Sequence, residues 1–314
     1  MKSLFLLTSS SEVLKYVDTL RNLNLGEVGH LVYDHPGASD AVLYAKVKEF
    51  APDLVVYIGA RWGQQPAIAT LARITEKIAP HVHICSDAAD IPWHDLLREY
   101  HNAGAFTLQV AIDGSLKWPL AGTQMTALTP VDAGPYPVSP RPHAERTIIC
   151  GYGGNQGGGG ASKRTQILTA LLTERVLDLR IRSALPFTYE AYASYLAGLR
   201  ISLNTAFTGT EMAMHVKGRV LESALAGACL LETKGSPTAH WFRPGLDYLE
   251  YDSPQEAAQI IRHLSNEPEA TQAMALSLRA RVLAEHTPAK FWARIFERIG
   301  LNVSQDIVEA VPAK

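Results

Sequence analysis

The chain has 314 residues, of which 47% are hydrophobic, and a formal net charge of −2. Its length favours two domains over one, and its apolar content is enough for a sizeable core in each. The near-neutral charge provides no basic field for a nucleic acid, and no apolar run approaches the ~20 residues that a membrane-spanning helix needs.

The start of the chain and its cysteines indicate the compartment. The apolar run at residues 4–7 is too short for the core of a signal peptide. Cys85, Cys150 and Cys229 are odd in number and scattered, and each lies in a predicted apolar strand. This distribution favours reduced core residues over a disulfide or a metal site. We therefore expect a cytoplasmic protein.

Residues 1–112 alternate between short apolar strands and helical segments. The strands are apolar on both faces, which is typical of a parallel sheet covered by helices on both sides. We therefore predict a Rossmann-like domain in this half of the chain. Its strands are predicted at residues 4–7, 28–33, 54–59, 82–85 and 106–112.

Residues 113–146 differ in character because they contain six prolines and several glycines. Such a stretch cannot form a regular helix, so we interpret it as a linker between domains. The predicted N-terminal domain then spans residues 1–140, and the C-terminal domain spans residues 141–314.

A second α/β unit follows the linker. A strand at residues 147–150 leads into the glycine-rich segment 151–160, and a helix follows that segment. Three helices are predicted to complete the chain. The fold class is therefore α/β with two Rossmann-like domains. The further strands of the second unit are predicted at residues 176–181, 201–204, 228–233 and 249–251.

The segment 214–233 carries the clearest chemical signal. It is predicted to form a loop, a short helix that a glycine at position 227 ends, and a buried strand. Lys217 and Arg219 stand at the start of that helix, where the helix dipole is already positive. Cations there are unfavourable unless an anion compensates them, and a phosphate is the natural candidate. The alternative is a solvated and slightly unfavourable helix start.

The same segment resembles the nucleotide-sugar site of GT-B glycosyltransferases. The resemblance rests on the run HVKGRVLESALAGACLL at residues 215–231, and the spore-maturation-protein-like (CgeB-like) branch is the most similar. Further matches are FRPGLDY at residues 242–248, YDSPQE at 251–256 and RARVLAEHT at 279–287. The resemblance extends over roughly residues 146–298 and depends on the order and spacing of these motifs together.

The resemblance implies a fold and a donor site. It implies two Rossmann-like domains facing a cleft, with the last helix packed on the N-terminal domain. It also implies that the glycine-rich loop, with Gly153 and Gly154, faces the diphosphate and that Arg164 contacts it. In retaining members a glutamate of the helix accepts hydrogen bonds from the ribose hydroxyls, and this role falls to Glu222. The alternatives are a surface loop with solvated basic residues and a solvent-facing glutamate.

One departure from the family pattern concerns a second glutamate. The family places it eight positions before the first, where this chain has Met214, and the nearest acidic residue is Glu211. Glu211 can replace it only if the loop is longer. The glycine-rich segment also fails as a dinucleotide fingerprint because Gln156 interrupts the pattern, which argues against a dehydrogenase.

Five further residues are candidates for the site. His215 can donate to a phosphate or to a sugar hydroxyl, or it can be a solvated loop histidine. Asn204 closes a strand whose carboxyl end should face the ligand. In the N-terminal domain Asp87 follows a strand and is a candidate general base for an acceptor hydroxyl, and the alternative is that Asp87 or Asp90 is a plain helix cap. Arg61 and Trp62 are candidates for lining an acceptor pocket, and the alternative for them is a stacked structural pair.

The resulting prediction is a metal-independent glycosyltransferase of the hexosyltransferase type. It would need no cofactor, because Arg164, Lys217 and Arg219 would stabilise the departing diphosphate and no Asp-x-Asp motif is present. The donor is a nucleoside-diphosphate sugar, and the acceptor is a glycan, a lipid or a small molecule. The alternative is a non-catalytic nucleotide- or sugar-binding protein of the same fold, which slow hydrolysis of the donor would distinguish from the enzyme.

Overall fold

The structure is a computed structural model that describes residues 1–8, 14–35, 38–59, 65–90, 92–114, 124–155, 162–181 and 188–302. The chain forms two compact units. The first comprises Met1–Asp132 together with Thr287–Lys314, and the second comprises Ala133–His286. In the described parts of the chain, no helix is both long enough and apolar enough to cross a membrane.

The first unit is built on a six-stranded sheet in the order β2-β1-β3-β4-β5-β6, in which all neighbouring strands are parallel. Its central strands are buried along their whole length, as the apolar runs of the sequence predict. Helices cover both faces. The elements are β1 Lys2–Leu7, α1 Leu14–Arg21, β2 Glu27–Val32, α2 Asp40–Phe50, β3 Leu54–Ile58, α3 Ile68–Lys77, β4 His81–Cys85, α4 Pro92–Asn102, β5 Leu108–Ala111, β6 Gln124–Thr126 and, at the end of the chain, α10 Pro288–Arg298.

Helix α10 brings the end of the chain back onto the first unit. Trp292 is fully buried there, its ring meets Phe5 edge-on at 5.9 Å, and its Nε1 donates to Thr19 Oγ1 at 3.1 Å. Phe291, Ile295 and Phe296 of the same helix lie in the same core cluster. The core of the first unit is therefore assembled from both ends of the sequence.

Strand β6 lies inside the proline-rich stretch, where the sequence predicts no regular element. It has three residues and pairs with β5 in parallel, with Gln109 opposite Gln124 and Ala111 opposite Thr126. Such a short strand depends on its neighbour for its hydrogen bonds, and its own sequence has no alternating pattern. The stretch therefore contributes an edge strand to the first sheet.

The second unit has a five-stranded sheet in the order β11-β10-β9-β7-β8, again with parallel neighbours. The carboxyl ends of β7, β9 and β10 therefore lie side by side at one edge of the sheet. Ligands bind at this edge in parallel sheets. The elements are β7 Ile148–Gly154, α5 Lys163–Thr173, β8 Asp178–Ile181, α6 Tyr189–Ala197, β9 Leu199–Leu203, α7 Gly218–Leu225, β10 Cys229–Thr233, β11 Leu249–Tyr251, α8 Pro254–Leu264 and α9 Pro268–Glu285.

A glycine ends α7, as the sequence predicts. Gly227 has φ +67°, and its N–H donates to the carbonyl of Ala224. The left-handed conformation favours glycine, and here space is restricted as well. A Cβ on Gly227 would lie 2.5 Å from Cβ of Pro140.

Replacing Gly227 by alanine is expected to destabilise the second unit. The left-handed backbone costs a side chain roughly 1–2 kcal/mol, and the collision with Pro140 adds about 1–3 kcal/mol. Gly235 is a matched control because it has φ +76° but nothing within 4 Å of an added Cβ. Urea unfolding should show a clearly larger loss for Gly227→Ala than for Gly235→Ala. Equal losses would contradict the steric part of the argument.

Candidate functional site

The glycines at the end of β7 belong to the strand and not to a loop. The sequence predicts a loop from Gly151 onward, but the strand continues to Gly154, and residues 156–161 of the glycine-rich segment lie outside the described residues. The strand continues because residues 151–154 pair with Asp178–Ile181 of β8, and the glycines allow close packing against α6. A Cβ on Gly153 would lie 2.7 Å from the ring of Tyr192. Gly153 and Gly154 therefore allow neighbouring side chains to approach the strand closely.

Arg219 is the side chain that uses this space. It lies in the first turn of α7, is 9% exposed, and donates from Nε to the carbonyl oxygen of Gly153 at 2.9 Å. Its guanidinium lies over the ring of Tyr152, 4.3 Å from the centroid. A Cβ on Gly154 would come within 2.1 Å of Arg219 Nη2. The guanidinium is thus fixed against the end of β7.

Asn204 and Glu232 extend this arrangement across two more strand ends. Asn204 follows β9, and its Oδ1 accepts from Arg219 Nη1 at 2.8 Å. Its Nδ2 donates to Glu232 Oε2 at 2.7 Å, near the end of β10. Asn204 and Glu232 are fully buried. A continuous polar chain therefore links Gly153, Arg219, Asn204 and Glu232 across the carboxyl edge of the sheet.

Glu222 lies on a helix that is buried all round. The sequence indicates an apolar face at residues 220, 221, 224 and 225 with a polar face opposite, but every residue from Arg219 to Leu225 is buried. The alternative of a solvent-facing Glu222 is therefore wrong. Tyr192 of α6 explains the burial, because its hydroxyl donates to Glu222 Oε2 at 3.2 Å. The carboxylate lies one helical turn after Arg219.

Lys217 and His215 contact each other just before α7. Lys217 Nζ lies 2.6 Å from His215 Nε2 and donates to the carbonyl oxygen of Phe207 at 2.9 Å. Because an ammonium group has no acceptor, His215 Nε2 must accept. Burial, with the charges of Lys217 and Arg164, holds the pKa of His215 well below its usual value. The solvated loop histidine is therefore wrong, and His215 is a buried neutral acceptor.

Arg164 lies in the first turn of α5 and donates from Nη2 to the carbonyl oxygen of Phe207 at 3.1 Å. The backbone N–H groups of Lys163 and Arg164 donate to the carboxylate of Glu211, at 3.0 and 3.5 Å. Glu211 adopts a left-handed backbone with φ +59° to reach them. Glu211 thus caps the start of α5. The sequence indicates Glu211 only as a possible replacement for the missing second glutamate.

Asp87 belongs to the first unit, whereas the residues around Arg219 belong to the second. Asp87 is partly exposed and follows β4, while Asp113, at the end of β5, is buried and accepts from the N–H of Ala89 at 2.8 Å. Arg61 and Trp62 lie outside the described residues. Within the part of the chain that the structure describes, no group of three or more His, Cys, Asp or Glu side chains is arranged to hold a metal ion.

Glu232 is the functional candidate that sequence reasoning missed. The sequence pattern of residues 228–233 predicts only a buried apolar strand, and the structure has this strand at Cys229–Thr233. The available signal was a single acidic residue one position from the carboxyl end of a buried strand. A charged side chain at such a place must be paired or hydrogen-bonded, and so it indicates a polar network.

Comparison with known proteins identifies the class of fold. Residues 164–297 match the model of a protein family described as glycosyl transferase-like. No curated protein sequence matches the chain. Among solved structures, Anabaena HepE in complex with UDP-glucose is similar with a TM-score of 0.67 and 14% identity, over 96% of this chain and 99% of that chain.

Two further solved structures have the same fold. A sucrose-phosphate synthase from Thermosynechococcus elongatus has a TM-score of 0.65 at 8% identity, over 96% of this chain and 99% of that chain. A glycosyltransferase from Rickettsia africae has a TM-score of 0.63 at 8% identity, over 98% and 99%. The chain therefore has the α/β fold of GT-B glycosyltransferases, with two Rossmann-like halves. The match to the glycosyl transferase-like family covers residues 164–297, which is less than half of the chain.

The stability of the protein should depend on pH through Glu232. Burial raises the pKa of Glu232 to about 7 from its ordinary 4.5, although hydrogen bonds from Asn204 and Thr233 oppose the rise. The folded protein then binds a proton more tightly than the unfolded chain. The contribution of Glu232 to the free energy of unfolding should therefore fall by up to about 3 kcal/mol as the pH rises from 4.5 through 7. Buried histidines contribute in the opposite direction, because burial lowers the pKa values of His81, His83 and His143.

Urea unfolding between pH 4.5 and 8 measures this dependence. Glu232→Gln, which cannot ionise, should lack this part of the decline. Glu269→Gln, on the exposed first turn of α9, controls for the loss of one carboxylate and should keep it. A Glu232→Gln protein whose stability depends on pH in the same way as that of the wild type would rule out this assignment.

Proposed function

We propose that this protein is a glycosyltransferase that transfers a hexosyl group from a nucleoside-diphosphate sugar to an acceptor hydroxyl. The observation that supports this most directly is Arg219, fixed by Gly153 and Asn204 at the carboxyl edge of the second sheet. Lys217 occupies the N-cap position of the same helix, without a capping hydrogen bond from its side chain. Two cations at a helix start on the ligand-binding edge of a parallel sheet suit a diphosphate. They lie within the domain that matches the glycosyl transferase-like family.

The proposed reaction breaks the bond between the anomeric carbon and the diphosphate and forms a bond from that carbon to the acceptor oxygen. Negative charge develops on the departing diphosphate, where Arg164, Lys217 and Arg219 would stabilise it. The acceptor proton passes to a base. We propose Asp87 for this role, with the acceptor held by the first unit, because Asp87 is partly exposed at the carboxyl end of β4.

Uridine is the first base to test. Anabaena HepE was solved with UDP, with UDP and glucose, and with UDP-glucose. The motifs at residues 215–231 and 279–287 support membership of the spore-maturation-protein-like branch. We further propose that the enzyme needs neither a cofactor nor a metal ion and acts in the cytoplasm. The cations around Arg219 would replace the divalent ion used by other glycosyltransferases.

The decisive experiment measures turnover of UDP-glucose in the presence and absence of excess EDTA. Slow hydrolysis, and faster consumption with an acceptor, are expected to proceed at the same rate in both conditions. Complete loss in EDTA that only magnesium or manganese restores would contradict metal independence. Binding of UDP-glucose without any turnover would favour the non-catalytic binding protein.

Glu222 is proposed to accept hydrogen bonds from the ribose hydroxyls. It lies three residues after Arg219 on one helix, so that a nucleoside beyond the diphosphate would reach it. Tyr192 uses one lone pair of the carboxylate, which has about four. The carbonyl oxygen of Gly153 accepts from Arg219 Nε and lies 3.4 Å from the Tyr192 hydroxyl oxygen, which places the two side chains at the same strand end.

Glu222→Ala is therefore expected to weaken UDP binding by roughly 10- to 150-fold, the equivalent of about 1.5–3 kcal/mol for hydrogen bonds to a charged acceptor. Calorimetric titration measures this, with 2′-deoxy-UDP as the matched ligand. The deoxy ligand should bind the wild type more weakly than UDP and bind the variant nearly as well as UDP. Tyr192→Phe controls for the loss of the neighbouring hydroxyl alone. Equal affinities of wild type and Glu222→Ala would remove the ribose role.

A further inference from the structure

We propose that Glu232 is a positioning residue for Arg219, acting through Asn204 to hold the guanidinium in the orientation that a nucleoside diphosphate requires. The proposal rests on the proposed function, since it concerns the same donor site. Glu232 itself would not touch the donor. It would instead influence the diphosphate indirectly, because it orients Asn204, and Asn204 orients Arg219.

The contacts of Glu232 are all with neutral donors. Oε1 accepts from the N–H of Thr233 at 2.7 Å, and Oε2 accepts from Asn204 Nδ2 at 2.7 Å and from the hydroxyl of Thr238 at 3.3 Å. The side chain is fully buried. Burying an ionised carboxylate is costly, and a glutamine or an apolar residue would fill the same volume at a lower cost. An ionised glutamate differs from glutamine at this position because its side chain has only hydrogen-bond acceptors and no donor.

That property decides which way Asn204 points. A side-chain amide has one end that donates and one that accepts, with nearly the same shape. Because the ionised carboxylate only accepts, it selects the orientation in which Nδ2 faces Glu232 and Oδ1 faces Arg219. The reverse orientation would direct N–H groups of Asn204 against N–H groups of Arg219. Glu232 and Arg219 therefore select the same orientation of Asn204, and Glu232 holds the amide so that Oδ1 stays directed at Arg219.

The remaining contacts of Arg219 show why this one matters. The carbonyl of Gly153 holds Nε and the ring of Tyr152 supports one face, so both restrain the guanidinium from the β7 side. Asn204 holds Nη1 from the β9 side. Without it, Nη1 loses its acceptor on the β9 side, and the orientation of the guanidinium depends on its contacts with Gly153, Tyr152 and Tyr192. A misplaced guanidinium loses much of its interaction with a diphosphate because that interaction depends on direction.

The protonation of Glu232 should therefore alter donor binding. A protonated carboxyl group has an O–H donor and can no longer present acceptors alone to Asn204. The charged and titratable groups that act on Glu232 are Lys217 before α7, which favours its ionised form, Tyr248, and Tyr251 of β11. Arg219 reaches it through Asn204. Affinity for the donor should fall on acidification in the range where burial places the pKa of Glu232, about 7.

The first test compares UDP-glucose affinity in four proteins, using calorimetry at pH 8. UDP-glucose is the probe because its diphosphate is a diester and has no proton that titrates in this range. Glu232→Gln should bind at least about 10-fold more weakly, as expected when a hydrogen bond to a charged group is disturbed. Asn204→Asp alone should also bind weakly, because it places two buried carboxylates in contact.

The double variant Asn204→Asp with Glu232→Gln should recover most of the wild-type affinity. Aspartate at 204 can accept from Arg219 and from the amide nitrogen of glutamine at 232, so that the hydrogen bond between positions 204 and 232 runs in the reverse direction but every donor again faces an acceptor. A residue that merely fills space would give no such recovery. Loss of binding that the double variant does not restore, in proteins that melt cooperatively, would overturn the proposal, as would unchanged affinity in Glu232→Gln.

A second measurement needs no donor and so separates this proposal from the proposed function. The Nε–H resonance of Arg219, identified by its loss in Arg219→Lys, is followed by NMR between pH 5.5 and 8.5. It should shift with a midpoint about 7 in the wild type and stay constant in Glu232→Gln. A chemical shift of this resonance that does not change with pH in the wild type would contradict the proposal that Glu232 positions Arg219. Absence of UDP-glucose binding in the wild type, with this shift present, would overturn only the donor assignment.

Discussion

The candidate site of the second unit depends on the interactions that hold the buried guanidinium of Arg219. A cation at this depth costs solvation energy, so each of its neighbours must offset that cost. The carbonyl oxygen of Gly153, the amide of Asn204 and the ring of Tyr152 do so, and they come from β7 and from the end of β9. Glycine at 154 leaves room for the guanidinium. The order of the strands, the positions of the glycines and the burial of Asn204 thus all contribute to holding the side chain of Arg219.

Parallel pairing explains why these residues meet although they are far apart in sequence. Adjacent parallel strands direct their carboxyl ends to one edge, so Gly153, Asn204 and Glu232 become neighbours once β7, β9 and β10 pair. Helix α7 then supplies Arg219 and Glu222 from the connection that leads into β10. The same topology places Asp87 at the corresponding edge of the first sheet, after β4.

The sequence predicted the α/β class and most strands because alternation of apolar runs with helical segments is a local signal. It missed β6, whose three residues are held by pairing with β5 and not by a pattern of their own. It placed Glu222 on an open helix face, since the partner that buries it, Tyr192, lies on another helix. Glu211 and Glu232 escaped for the same reason: their contacts with α5 and with Asn204 are made only in the folded chain.

Helix α10 has a consequence for how the protein is made. The first 132 residues leave a ribosome well before Phe291 and Trp292, yet these two side chains fill the core beneath β1. Until they arrive, the face of the nascent sheet that includes Phe5 and the face of α1 that includes Val17 lack their covering. Vectorial synthesis therefore supplies Phe291 and Trp292 only after the whole of the second unit, Ala133–His286, has been synthesised.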